Sequence, residues 1–332
     1  MEENHNINKK RLLFVGVGFR NYDKLIANEL SKRYDVVYIN SKEFDMLHRV
    51  LYKFARKYCK RWLEHLCAKH IMLEIREEAV NIDKIFVVKG EHLTSRHLAY
   101  IKQHNKIEKS VLYLWDKWSM HENIDTIKSH FDDIYSFDTK DCEEQGVKLR
   151  PLFYFEDQIK LGQKKTIDVS FVGNDHTGRY ELLKRVKRIC QENGFRYKFC
   201  LLIGKVEYTK FTRFPFLKNK YSREDAEMFS ESGVSYQEYV DIISSSKVVI
   251  DMPYKGQTGL TMRTIEALAM GARLITSNEA IGKYKDISPN SYLIIDCNTQ
   301  DEEILSYVMT GQNKGFELAD KYECGIALKE MI

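Results

Sequence analysis

The stretch "KGQTGLTMRTIEALAMGARLITSN", residues 255–278, sets a glycine- and hydroxyl-rich entry before an amphipathic helix that carries Arg263 and Glu266. A helix beginning near Gly259 puts Gly259, Arg263 and Glu266 on one face, at i, i+4 and i+7. The unpaired N–H groups of a first helical turn, with the helix dipole, make an anion site. The run Gln257-Thr258-Gly259-Leu260-Thr261 is then the expected lining. Its glycine lets a phosphate come close, Thr258 and Thr261 can donate hydroxyls, and Arg263 adds a charge-assisted contact. Glu266 suits the other part of a nucleotide, since a carboxylate accepts both hydroxyls of a ribose. The plain alternative is an Arg–Glu pair on a surface helix, but an exposed pair does not need a glycine-rich entry.

Two further cations belong to the same chemistry. "FVGNDHTGRYELL" puts Gly173 directly after an apolar run and Arg179 near the start of the next helix, and "LLIGK" places Lys205 at the end of the following strand. Earlier in the chain, Gly16-Val17-Gly18 makes another tight turn. A dinucleotide fingerprint needs a third small residue and an acidic residue closing the second strand; Asn21 and Asn40 stand there instead. The turn reads as a close backbone approach at Gly18 rather than a dinucleotide site.

These residues need strands to hold them. Short apolar runs at 11–19, 35–40, 84–90, 110–116 and 132–138 alternate with helical spacing. After Pro151 a second series follows at 167–174, 197–204, 247–253, 272–278 and 291–296. Such alternation builds parallel α/β sheets, and two series in succession predict two facing Rossmann-like lobes with a cleft. The expected division is 1–155, 156–308, and a C-terminal helix in 309–332 that crosses back to the first lobe. Ligands bind beyond the carboxyl ends of the strands in such sheets, where Gly173, Arg179 and Lys205 are expected.

Composition narrows the class. Hydrophobic residues make up 43% of 332, enough for two cores. A net charge of +4 is too small to imply nucleic acid. Seven scattered cysteines without a CxxC pair fit neither a zinc site nor a disulfide scaffold and suit a reducing cytoplasm. No signal peptide or membrane-spanning run is read from the sequence. Residues 47–70 carry seven Lys or Arg against one Glu, with apolar residues at helical spacing. They read either as a solvated helix on the sheet or as a helix lying on anionic lipid at the inner face of the cell membrane.

"FVGN", "SYQEYVDIISSSKVVID" and "GLTMRTIEALAMGARLITSN" resemble the nucleotide-sugar-dependent glycosyltransferases of the GT-B fold, most of all their group-1 and CgeB-like bacterial branches. The resemblance covers about 165–300. It implies transfer of a sugar from a nucleoside-diphosphate donor, UDP- or GDP-linked, to a saccharide or lipid-linked saccharide acceptor in bacterial surface polysaccharide assembly. It also implies that Glu266 holds the ribose, that Arg179 and Lys205 meet the diphosphate with Arg263 assisting, and that the chain at Ser235 and Tyr236 holds the base. Retaining members have a second glutamate where Thr258 stands here, so the stereochemical outcome stays open.

No DxD follows either series of strands, so no metal and no cofactor is expected, the fixed cations serving the leaving group. An inverting reaction needs a base from the first lobe: Asp116, or else Glu91 or His92, with Trp115 and Trp118 stacking on the acceptor sugar. Two other classes stay in view, a non-catalytic sugar-nucleotide-binding protein of the same fold and an NAD-dependent dehydrogenase.

Overall fold

The computed structural model describes residues 9–18, 21–41, 60–176, 178–214, 220–310 and 318–332, with the backbone alone for 60–63. The chain divides into two units, Met1–Pro151 with Cys324–Ile332, and Leu152–Glu323. Each contains a six-stranded, wholly parallel sheet.

In the first unit the strands are β1 (Arg11–Gly16), β2 (Asp35–Asn40), β3 (Lys84–Val88), β4 (Lys109–Leu114), β5 (Asp133–Ser136) and β6 (Lys148–Leu149). They lie in the order β2-β1-β3-β4-β5-β6. The helices are α1 (Tyr22–Ser31), α2 (Lys60–Glu78), α3 (Ser95–His104), α4 (Ile124–Ile127) and α5 (Thr139–Gln145). Leu13, Val15, Ile85, Val87 and Leu112 pack with Ile71 and Ile75 of α2 and Leu98 and Ile101 of α3 in one core. Of the basic stretch 47–70, residues 47–59 lie outside the described part of the chain.

The second unit contains β7 (Ile167–Asn174), α6 (Arg179–Glu192), β8 (Tyr197–Leu202), α7 (Lys205–Arg213), β9 (Phe229–Ser230), α8 (Tyr236–Ser244), β10 (Ser246–Asp251), α9 (Met262–Ala269), β11 (Arg273–Thr276), β12 (Tyr292–Ile294) and α10 (Asp301–Met309). The order is β12-β11-β10-β7-β8-β9. Both faces of this sheet are covered, and the strands show it by simple alternation. Val169 and Phe171 of β7 and Val248 and Ile250 of β10 enter one core, while Val172 and Val249 enter the other. The last helix, α11 (Cys324–Met331), returns to the first unit. There the Arg33 guanidinium reaches the Gly325 carbonyl, and Arg150 pairs with Glu330.

In each unit the first strand is flanked by a later strand on the side opposite its immediate successor. The switch points are therefore β1/β3 and β7/β10, and crevices for ligands form at the carboxyl ends of such strand pairs.

Candidate functional site

The β7/β10 switch point gathers the cations. Asp251 ends β10 and is 0% exposed. Its carboxylate accepts from Arg263 Nη1 at 2.7 Å, Thr261 Oγ1 at 2.7 Å and Thr264 Oγ1 at 2.5 Å. Arg263 also donates through Nε and Nη2 to the Val172 carbonyl of β7, at 3.1 and 2.7 Å. Arg179 comes from the other side, giving Nε to the Met252 carbonyl at 3.0 Å and Nη1 to the Asn174 carbonyl at 2.7 Å. Both guanidiniums lie over the Phe171 ring, at 5.4 Å for Arg179 and 5.0 Å for Arg263.

Gly173 is what lets them meet. A Cβ there would lie 2.5 Å from Arg263 Nη2 and 3.4 Å from Arg179 Nη1.

The charges do not balance. Asp251 pairs with Arg263, whereas Arg179 is bound by main-chain carbonyls, and among the described residues no carboxylate forms an ion pair with it. Burial, and then the neighbouring Arg263, push the Arg179 guanidinium down to about 10. His176, stacked on Tyr254 with centroids 3.9 Å apart and planes 8° from parallel, is pushed down to about 4 by burial, then by Arg179 and Arg263. Asp175 beside it pairs with Lys220 and accepts from the Tyr221 hydroxyl at 2.8 Å.

The helix of the opening stretch starts later than Gly259. Thr261 is its N-cap, its hydroxyl accepting from Thr264 N at 3.1 Å. The hydroxyl of Thr261 is thereby committed between that amide and Asp251. The helix ends at Gly271 (φ +72°), where Ala272 N bonds to Ala267 O and Gly271 N to Leu268 O, the paired bonds of a Schellman motif.

Leu260 is fully buried in the core, so its side chain serves packing. Gln257 donates to the Gly259 carbonyl at 3.2 Å, and Asn278 donates to the same oxygen at 3.0 Å. Thr258 lies half-buried in that loop.

Glu266 is 1% exposed. Its carboxylate accepts from the Tyr239 hydroxyl at 2.6 Å and the Tyr236 hydroxyl at 3.4 Å. The carboxylate expected to hold a ribose is covered in this structure by tyrosines of α8. Ser235 caps α8 in a reciprocal box with Glu238. Lys205 is well exposed, with its side chain 83% accessible, and sits 3.6 Å from Glu231. It does not join Arg179 and Arg263.

In the first unit Lys89 bridges Glu91 at 3.0 Å and Asp116 at 2.5 Å. Burial opposes the charge on Lys89, but Asp116 and Glu91 outweigh it and raise its proton affinity. Lys89, Gly90 and His92 all take positive φ, at 64°, 70° and 64°. Such a run is costly and persists where neighbours hold it; here the Asn123 amide donates to the carbonyls of Gly90 and Leu93 at 2.7 and 2.8 Å. His121 reaches the Asp116 carbonyl at 3.2 Å.

Trp118 is half-buried under Lys128, 5.8 Å from its ring. Trp115 is buried edge-on against Tyr22 and Tyr113. Its ring belongs to the core and is not offered to a sugar, a correction that follows from its inward direction at the end of a buried strand.

Gly18 (φ +65°) gives its N–H to Asp23 Oδ2 at 2.7 Å, and the Tyr38 hydroxyl donates to the same oxygen at 2.8 Å. The carboxylate fills the glycine turn, where a dinucleotide fold would hold its pyrophosphate.

No protein-family model and no curated protein sequence matches the chain. Solved structures do. AviGT4, a glycosyltransferase involved in avilamycin A biosynthesis, superposes over 97% of this chain and 95% of its own, with a TM-score of 0.55 and 10% identity. UDP-N-acetylglucosamine 2-epimerase from Rickettsia bellii matches over the same shares, with a TM-score of 0.55 and 12% identity. Sucrose-phosphate synthase from Thermosynechococcus elongatus matches over 91% of this chain and 89% of its own, with a TM-score of 0.51 and 9% identity.

The chain has the GT-B fold. At these identities the likeness establishes the fold alone, and proteins titled as a glycosyltransferase, an epimerase and a sucrose-phosphate synthase share it. Within this GT-B chain the sequence reading missed His176, Tyr254 and Asp251. Only Asp251 left a mark, as a charged residue closing an apolar strand. Among the described residues no three His, Cys, Asp or Glu side chains gather as a metal set, and no helix is long and apolar enough to cross a membrane.

Proposed function

We propose that the chain is a glycosyltransferase that takes a sugar from a nucleoside-diphosphate donor and passes it to a saccharide or lipid-linked saccharide acceptor in bacterial surface polysaccharide assembly. One observation carries the reading: at the β7/β10 switch point Asp251 pairs with half-buried Arg263 while buried Arg179 is held, among the described residues, by main-chain carbonyls alone, leaving a positive charge where α/β sheets take their ligands. A buried charge without a counter-ion is unfavourable, and a diphosphate supplies the counter-ion.

In transfer, negative charge grows on the departing diphosphate. Arg179 and Arg263 are held by carbonyls and Asp251, so they stabilise that charge without reorganising. They supply the charge that a divalent cation supplies elsewhere, and turnover is expected to survive chelation. The donor unit holds the ribose at Glu266 once the Tyr236 hydroxyl gives way. The first unit binds the acceptor, and Asp116, steadied by Lys89, takes the proton of its hydroxyl.

The test is a thermal-shift screen with UDP-, GDP-, CMP- and dTDP-sugars, followed by nucleotide release with acceptor oligosaccharides. Stabilisation by a nucleoside diphosphate sugar together with acceptor-dependent release supports the reading. Stabilisation without release on any acceptor identifies a binding protein, and a response to NAD(H) alone overturns the assignment.

A further inference from the structure

We propose that His176 takes up one proton from solvent when a pyrophosphate-bridged ligand binds beside Arg179 and Arg263, so that its imidazole becomes a cationic donor to the phosphates and the site favours nucleoside diphosphate sugars over monophosphate ones. The inference rests on the donor-site reading above.

The geometry sets the coupling. His176 lies in the loop between β7 and α6, held flat against Tyr254 of the loop after β10. Charged groups act on it from several elements: Asp175 and Arg179 from its own loop and α6, Asp251 from β10, and Arg263 from α9. Asp175 is shared with Lys220, and Asp251 with Arg263. Exposed Lys255 follows Tyr254 in the chain.

Counting the inner groups, Arg179 and Arg263 against Asp251 leave one positive charge. The Asp175–Lys220 pair adds nothing. An imidazolium here would add a second positive charge to a half-buried place: burial first, then Arg179 and Arg263, hold His176 down to about 4.

A pyrophosphate diester reverses the sign. Its two negative charges turn the excess from one positive to one negative, and a proton on His176 then restores balance. A nucleoside monophosphate sugar brings a single negative charge, reaches balance by itself and draws no proton. The proton comes from bulk solvent and resides on a ring nitrogen; no covalent bond is made or broken elsewhere.

The experiment is calorimetric titration of the full-length protein with UDP-glucose, GDP-mannose and dTDP-glucose, between pH 5.5 and 8, in two non-phosphate buffers of different ionisation enthalpy. The pyrophosphate diester of these ligands does not titrate in that range. For the ligand that binds, the observed heat should depend on the buffer and report uptake of close to one proton. The affinity should weaken by up to about tenfold per pH unit above the bound-state titration of His176.

The His176→Phe variant keeps a ring against Tyr254 and should bind with a pH-independent affinity. Should it fail to fold, His176→Asn serves in its place. Binding by the wild type with buffer-independent heats overturns this inference and leaves the diphosphate site standing. An unchanged pH profile in the variants overturns it equally. Absence of binding by all three ligands removes the donor-site reading and this inference with it.

Discussion

Replacing Asp251 by Asn should separate stability from anion affinity in opposite directions. The carboxylate is fully buried and receives Arg263, Thr261 and Thr264. Asn keeps the shape but removes the charge, leaving Arg263 beside Arg179 with nothing to offset either. Breaking a buried pair from one side costs about 3–5 kcal/mol. For a unit of this size each kcal/mol moves the melting temperature by roughly 2–4 °C, so a fall of about 6–20 °C is expected by scanning calorimetry. The double variant Asp251→Asn/Arg263→Met should lose much less than the sum of the two singles, because the residual lone charge is the costly part. Over the same change the site gains a positive charge, and the affinity for a nucleoside diphosphate sugar at pH 8 should tighten by on the order of tenfold. A fall in melting temperature under about 2 °C, or a weaker affinity, would refute the charge count on which the site is built.

Four other outcomes follow from the geometry. Gly173→Ala should weaken donor binding and lower the melting temperature together, since its methyl would press on the Arg263 guanidinium; a thermal scan with and without nucleotide sugar checks both. Tyr236→Phe removes the long hydrogen bond to Glu266 and should tighten donor binding a few-fold, whereas Glu266→Gln should weaken it by on the order of tenfold, as measured by calorimetry. Asp116→Asn should cut turnover by about 10²-fold or more with donor affinity unchanged, read from kcat against Kd. Burial pushes the Lys165 ammonium down to about 8, while the unfolded chain holds its proton to about 10.4. Through that window the unfolded state binds more protons, so this group's contribution to stability rises with pH. The melting gap between wild type and Lys165→Met should therefore move in the wild type's favour from about pH 7 to about pH 10.

The sheets were legible because their strands are buried on both faces. "IDVSFVGN", with Ile167, Val169, Phe171 and Val172 among its eight residues, coincides with β7, and Phe171 and Val172 each find a core. Strand ends were overrun where the backbone turns: the run 84–90 stops at Val88 because Lys89 and Gly90 adopt positive φ. The two-residue strands β6 and β9 are too short for any periodicity to show.

At the site, residue types were readable but their partners were not. Arg179 and Arg263 stand out in the sequence, yet nothing there says that Phe171 would bring them together or that Asp251 would claim one of them. The start of α9 was misplaced by the glycine, when the hydroxyl of Thr261 ends the loop by taking the Thr264 amide. His176 and Tyr254 are far apart in sequence, and only the adjacency of β7 and β10 stacks them.

Asp23 has a bearing on stoichiometry. The chain carries two strand–glycine–helix corners, and in the earlier one a resident carboxylate already takes the Gly18 amide and the Tyr38 hydroxyl. A second phosphate arriving there would meet a like charge instead of an empty cradle. Saturation should thus occur at one nucleotide per polypeptide, leaving the amino-terminal corner to neutral partners such as uncharged sugars.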